Sequence, residues 1–253
     1  MDTYYDFYDY HYYWQNRQYE NQAEKIALQK LFKLIPQKKK KNILDVGAGF
    51  GRHTLLYAPF FKKVILLEPS LKLLQEAKKN LKNLSNLTFK RGTAQKLPYP
   101  EQSVNTVLMI RVIHHLNNLS PIFQEISRVL VPNGTLILEF ANKTHFKAKT
   151  KAIISGNLTF LNNLAPVDQR SRKNIKERSI LFLNHHPKAI EKNLQENNLK
   201  IIKKLSVSNF RSPTLKKILP INCLLFLEKI TQSILAPLNF GPSIFLLARK
   251  TNR

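Results

Sequence analysis

A single cysteine, Cys223, stands in a chain of 253 residues. One thiol excludes a disulfide framework and any cysteine-based zinc site. It lies in an apolar stretch and reads as a small buried hydrophobe. Acidic residues are also few: 16 Asp and Glu face 41 Lys and Arg, for a formal net charge of +25. No uninterrupted apolar segment reaches the roughly 18 residues that a membrane-spanning helix needs. The N-terminus is acidic and tyrosine-rich, with no basic start followed by an apolar run. No secretory signal is therefore expected, and the cytoplasm is the expected compartment. Internal repeats and low-complexity linkers are absent too.

Hydrophobic residues make up 43% of the chain, enough for a sizeable core, which argues against intrinsic disorder. The positive excess suits RNA, an anionic membrane surface or an acidic substrate. Lys, Asn and Ile are all abundant, however, as an AT-rich coding sequence produces without any partner. The lysines are scattered, and Lys38 to Lys41 form the only dense run.

Four stretches organise the chain. Residues 1–36 are an aromatic arm followed by a helix. Tyr4, Tyr5, Phe7, Tyr8, Tyr10, Tyr12, Tyr13, Trp14 and Tyr19 crowd there, and such density is costly to leave in water, so the arm should cover something. A lid over a ligand mouth and a plain cover for the core edge both satisfy that need. Residues 37–141 alternate strands and helices. Strands are expected at Ile43–Val46, Lys63–Glu68, Leu87–Lys90, Val104–Ile110 and Thr135–Phe140, with helices at Leu71–Asn80 and Ile122–Leu130, the latter closed by Pro132-Asn133-Gly134. That alternation implies a mostly parallel sheet covered on both faces. Residues 142–186 lose the alternation, turn basic and polar, and read as an insertion or cap. Residues 187–253 resume with a helix from Pro187, a strand over Lys200–Val207, an apolar stretch over Leu215–Leu238 and a last strand over Pro242–Ala248.

The chemistry is concentrated between Asn42 and His53. A short apolar strand runs into Gly47, Gly49 and Gly51, and His53-Thr54-Leu55-Leu56-Tyr57 opens a helix. Glycines let the backbone approach a nucleotide-like ligand, and a helix start offers unpaired N–H groups. A dinucleotide fingerprint requires a third glycine where Arg52 stands, so the NAD reading fails at its key residue. Glu68 ends the second strand, 17 positions after Gly51. A carboxylate there can accept hydrogen bonds from both hydroxyls of a ribose.

Asp45-x-Gly47-x-Gly49-x-Gly51 resembles motif I of the class I S-adenosylmethionine-dependent methyltransferases. Gly92-Thr93-Ala94-Gln95-Lys96-Leu97-Pro98, Ile113-His114-His115-Leu116 and the run from Arg128 to Gly134 resemble later blocks of the same group. Together with the Glu68 strand they make the region similar to the type 11 methyltransferases, which include quinone-biosynthesis C-methyltransferases. The resemblance covers about 100 residues and implies a Rossmann-like α/β fold. Its sheet would be seven-stranded and mostly parallel, with helices on both faces and an antiparallel last strand. It implies S-adenosyl-L-methionine as cofactor, held by Asp45, Gly47, Gly49, Gly51, Glu68, Pro69, Thr93, Ala94 and Arg111, the last pairing with the cofactor carboxylate. Two departures stand out: Thr93 occupies a position that is often Asp in the family and faces the adenine amino group, and Asn105, read as a turn residue, replaces another Asp.

A sulfonium methyl is strongly electrophilic, so the protein mainly aligns a nucleophile and excludes water. His114 and His115, after the fourth strand, are the candidate bases or substrate contacts, or simply helix-start residues. His185 and His186 form a second pair, and no metal site is expected from them. The acceptor is expected to be a small molecule or a lipid- or quinone-like compound. An RNA methyltransferase and a non-catalytic cofactor-binding domain are the competing readings. Leu215, Ile218, Leu219, Leu225, Phe226, Ile230 and Ile234 recur at near-helical spacing beside Lys216, Lys217 and Lys229. That pattern suits either core packing under the last strand or a helix on an anionic membrane surface, split by Pro220.

Overall fold

The strand before the glycine turn explains the layers around it. β1 (Asn42–Val46) is apolar toward both sides, and four of its five residues are buried. A strand without a polar face belongs inside a sheet covered on both sides. Leu44 and Val46 feed one core cluster and Ile43 the other. The computed structural model describes residues 6, 10–177 and 179–251. The expectations for Tyr4, Tyr5, Phe7 and Tyr8 concern residues outside these.

β2 (Lys63–Glu68) repeats the two-sided burial, whereas β3 (Leu87–Arg91) is an edge with alternate residues exposed. β4 (Val104–Met109) and β5 (Leu130–Ala141) are buried centrally. A small antiparallel pair, β6 (Val167–Asp168) and β7 (Leu183–Asn184), stands apart from the main sheet. β8 (Leu199–Val207) and β9 (Ser243–Lys250) complete the latter. The seven strands run in the order β3-β2-β1-β4-β5-β9-β8. β9 is antiparallel to both of its neighbours, and the other pairings are parallel.

Helices fill both faces. Before β1 come α1 (Tyr10–Gln15) and α2 (Gln18–Lys33), and between β1 and β3 come α3 (Thr54–Tyr57) and α4 (Leu71–Asn80). Pro59 follows α3 so closely that the expected helix ends after one turn and continues as a 3-10 turn. Ser70 caps α4 by accepting the Leu73 N–H at 3.1 Å, a contact that typically stabilises by about 1 kcal/mol. α5 (Ser120–Val129) precedes β5. The segment from Asn142 to His186 carries α6 (Phe146–Ile154), α7 (Thr159–Asn162) and α8 (Arg172–Lys176). After it come α9 (Pro187–Glu196), α10 (Pro213–Ile218) and α11 (Ile221–Ile234). α5 and α9 pack on the Leu44 side of the sheet, and α2 and α4 on the Ile43 side.

Three local expectations are corrected. The Pro132-Asn133-Gly134 turn lies within β5 as a bulge: Val104 pairs with Leu130, yet Thr106 pairs with Thr135. Asn105 lies in β4, its N–H donating to Asn42 Oδ1, so it is no turn residue. Cys223 is exposed, because α11 turns Leu224, Glu228 and Gln232 inward instead. Among the described residues no helix is long and apolar enough to cross a membrane.

Candidate active site

The chain reverses its direction of winding between β1 and β4, and a crevice opens at their C-terminal ends. Gly47, Gly49 and Gly51 hold φ angles of +73°, +56° and +78° there, a region that side chains disfavour. A Cβ on Gly47 would stand 2.4 Å from Val112 Cγ2, and one on Gly51 would stand 2.6 Å from Leu81 Cδ1. These two positions are set by packing. A Cβ on Gly49 would meet nothing within 4 Å, because Gly49 lines a cavity of about 320 Å³. Small-molecule sites commonly span roughly 300–1,000 Å³.

Glu68 stands on the cavity wall at the end of β2 and is 4% exposed. Its Oε2 accepts the Gly49 N–H at 3.0 Å, and Oε1 accepts the Ser70 N–H at 3.0 Å. Burial pushes its carboxyl up to about 6, against the pull of these two N–H groups. A carboxylate offers about four lone-pair sites, so each oxygen retains capacity for one more donor. Asp45, at the end of β1, accepts from the Tyr57 hydroxyl. Burial raises Asp45 to about 7, opposed by that hydroxyl and assisted by the charge of Glu68. Pro69, Thr93 and Ala94 lie along the same wall.

Two arginines, Arg52 and Arg111, also line the cavity. Glu24, fully buried on α2, receives Arg52 Nη2 at 2.5 Å and Arg111 Nη2 at 2.5 Å and Nε at 2.7 Å. His53 Nε2 lies 3.2 Å from the same carboxylate. Burial alone would raise Glu24, but Arg111, Arg52 and the His53 hydrogen bond hold it well below the usual carboxylate range. Burial and the Arg52 charge push His53 down to about 4, so it is neutral at pH 7. Two guanidinium groups share Glu24, and the buried Glu139 carboxyl of β5 also faces them. Trp14 lines the cavity above them, its ring 3.6 Å from the Arg52 guanidinium carbon and 4.8 Å from that of Arg111. The arm is anchored further along, where Asp6 accepts from the Ser70 hydroxyl and from Lys72.

Arg111 lines the cavity as expected of a cofactor residue, but its guanidinium is committed to Glu24 and, at 3.3 Å, to the Tyr13 hydroxyl. Its backbone sits at φ +59°, with its N–H on Glu139 Oε2 at 2.8 Å. The histidine pair divides. His115 is on the cavity wall, with Nδ1 2.6 Å from the Leu181 carbonyl. His114 is 3% exposed, absent from the cavity wall, and packed between His115 and Phe182 at ring distances of 4.0 and 4.6 Å. The structure thus places His114 away from the cavity that His115 lines, and burial, with His115 and Arg111 nearby, holds its imidazole well below the usual range. His185 Nε2 lies on the Ile113 carbonyl, and His186 accepts the Lys188 N–H to cap α9. Among the described residues no group of His, Cys, Asp and Glu could hold a metal.

Sequence reasoning passed over Glu24, the Arg52 side chain, His53 and Tyr57. Glu24 carries no local signal, because it is one acid in a polar helical run. Arg52 stood out only as the missing glycine.

The class follows from this geometry. A sheet of this order, a glycine turn and an acid at the end of β2 form the S-adenosylmethionine-dependent methyltransferase fold. A putative S-adenosylmethionine-dependent methyltransferase from Listeria monocytogenes superposes with a TM-score of 0.64 at 18% identity, covering 91% of this chain and 98% of that one. The YcgJ protein from Bacillus subtilis superposes with a TM-score of 0.58 at 17% identity, covering 91% and 99%. Residues 44–138 match the family model described as a methyltransferase domain. S-adenosylmethionine is the cofactor of that fold family, and the residues present fit it. Glu68 keeps acceptor capacity, and the Gly49 Cβ direction is open. Over 109 residues the chain is 33% identical to the demethylmenaquinone methyltransferase of Tropheryma whipplei, covering 43% of this chain and 45% of the relative. Over 98 residues it is 29% identical to the uncharacterised methyltransferase YcgJ of Bacillus subtilis, covering 38% and 39%. The matched stretch spans less than half the length of these curated relatives.

Proposed function

We propose that this chain transfers a methyl group from S-adenosylmethionine to a hydrophobic small molecule of quinone- or lipid-like character. The observation that carries the reading is Glu68, buried on the cavity wall beside the open Gly49 position, with both oxygens still able to accept donors. When bound, the cofactor supplies an electrophilic sulfonium methyl. In this reading Glu68 accepts the ribose hydroxyls, Thr93 offers a hydroxyl to the adenine edge, and the Arg52 and Arg111 guanidiniums on the cavity wall face the methionine carboxylate. Trp14 closes the mouth against water and, with Val112, Ile110 and Leu116, gives the remaining wall an apolar character. That wall suits an apolar acceptor, as does the likeness to a demethylmenaquinone methyltransferase. His115 is the base for an acceptor that must lose a proton. Its Nδ1–H faces a carbonyl, which makes Nε2 the basic nitrogen, and burial lowers its pKa so that it is neutral at pH 7. The reading includes peripheral contact with a membrane, from which such an acceptor would be drawn.

Titration calorimetry with S-adenosylmethionine tests the assignment. Glu68→Ala is expected to weaken binding by about 1–3 kcal/mol, the loss for hydrogen bonds to a charged group. Unchanged affinity would remove Glu68, and with it the cofactor pose, from the account.

A further inference from the structure

α11 is built inside out. Its buried residues are Leu224, Glu228 and Gln232, spaced four apart on one side. On the opposite side Phe226 is 63% exposed, Ile230 48% and Ile234 64%, with Leu227 and the thiol of Cys223 beside them. At 100° per residue these outward positions centre on the side of the helix away from the sheet. Exposed apolar surface of this extent on a helix needs a reason.

The inward polar face is tied down by hydrogen bonds through Glu228 and the Gln232 amide nitrogen, while Gln232 Oε1 has no partner among the described residues. Glu228 accepts the Tyr19 hydroxyl at 2.6 Å, the Ser208 N–H at 2.8 Å and the Asn209 N–H at 2.9 Å. Gln232 donates to the Ala23 carbonyl at 2.9 Å. These contacts fasten α11 to α2 and to the end of β8 and leave the apolar side outward.

Charge identifies the partner. Beyond Glu196, Glu228 is the only acidic residue in the chain, and it is fully buried. The surface around the apolar face therefore presents lysines and no carboxylate from its own segment, with Lys217 and Lys229 exposed on α10 and α11. The face continues onto α6. Phe146 stacks on Phe240 at 4.8 Å, and Lys149 donates to the Leu238 carbonyl at 2.7 Å. α6 exposes Ile153 and Ile154, and no acidic residue occurs from Asn142 to Val167. A second copy of this face would bring lysines against lysines, whereas an anionic bilayer satisfies both the apolar and the cationic parts.

We propose that α10, α11 and α6 form the face by which this protein docks on an anionic membrane surface. The docking rests on this geometry alone, and it deepens the methyl-transfer reading by placing the protein where a lipid-like acceptor is dissolved. α10 is tied to α2, the helix that carries Glu24 to the cavity arginines, because Lys216 donates to Glu20 at 2.6 Å.

Flotation of the full chain decides the matter. The probes are vesicles of phosphatidylglycerol and phosphatidylcholine in equal parts, compared with vesicles of phosphatidylcholine alone. The chain is expected to float with the anionic vesicles at low salt and to lose binding as salt rises. Phe226→Ser with Ile230→Ser should weaken binding by at least about tenfold, from the apolar burial lost. Lys217→Glu with Lys229→Glu should weaken it comparably while removing its salt dependence in part. Both pairs are exposed, so thermal midpoints and S-adenosylmethionine affinity should hold. No flotation at low salt, equal binding to the neutral vesicles, or a Phe226/Ile230 variant that floats like the parent would overturn the proposal. So would a dimer in light scattering that this double variant dissociates, without flotation. Flotation without cofactor binding would sink the methyl-transfer reading and leave the docking face standing, and the converse result would do the opposite.

Discussion

Glu68 and Asp45 are buried acids held above their ordinary values of 4.5 and 3.8, at about 6 and about 7, chiefly by desolvation. At these two carboxyls the folded apoprotein holds more protons than the unfolded chain between about pH 4 and pH 7, so their own contribution to stability falls as pH rises through that window, while the histidines that burial holds below their ordinary value contribute with the opposite sign. Ribose hydroxyls donating to Glu68 would favour its charged form and reverse the bias for that group. The cofactor-induced rise in thermal midpoint should accordingly grow as pH passes about 6 and then level off. Melts with and without S-adenosylmethionine across that range check this. Glu68→Gln should lose the component centred near pH 6 and retain any component from Asp45 near 7. A wild-type shift that is flat across the window would mean that ionised Glu68 takes no part in binding. Glu68 was legible from sequence because a single acid ended an apolar strand. Glu24 was not, because its importance exists only where Arg52, Arg111 and His53 converge on it from other elements.

At the scale of the element, the glycine turn does two jobs that substitution can separate. Gly47 and Gly49 both carry positive φ, which costs a side-chain-bearing residue about 1–2 kcal/mol. Gly47 adds a collision with Val112, so Gly47→Ala should lose about 2–4 kcal/mol of stability once overpacking is included. Gly49→Ala meets open space and should lose only about 1–2 kcal/mol, while its new methyl enters the cavity and weakens cofactor binding. Denaturant unfolding and calorimetry on the pair separate the two effects. Equal stability losses with equal affinity losses would mean that the turn acts through strain alone. The strands and helices of residues 37–141 were legible because each is continuous in sequence and its apolar period is local. β5 was not read in full: Pro132, Asn133 and Gly134 signal a turn, and only its pairing with β4 shows that the turn is accommodated as a bulge within the strand. Of α3 only the opening, His53 to Tyr57, was legible; its end after one turn is set by Pro59, just beyond that stretch.

For the whole molecule, the +25 charge is the property with the widest reach. Period alone could not say which side of α11 faces inward, since apolar residues occur all around that helix. The buried carboxylate of Glu228 decides it, and its partners Tyr19, Ser208 and Asn209 come from distant parts of the chain. Among the described residues the pairs most open to salt are Lys173–Glu177 and Lys192–Glu196, both exposed at 3.8 Å, and pairs of that kind contribute little. The Glu24 cluster is buried and poorly screened. Repulsion among unpaired lysines is therefore the larger salt-sensitive contribution, and it opposes the folded state. Raising sodium chloride from about 10 mM to about 300 mM shortens the Debye length from about 30 Å to less than about 10 Å. The thermal midpoint should rise by a few degrees, roughly 2–4 °C for each kcal/mol of repulsion removed at this size. Choline chloride should act equally, because screening depends on ionic strength and not on the cation. A midpoint that falls would show that surface ion pairs outweigh repulsion. Vesicle binding must respond in the opposite sense, since screening that relieves self-repulsion also weakens attraction to phosphatidylglycerol. Stability and docking that moved together with salt could not both arise from this charge.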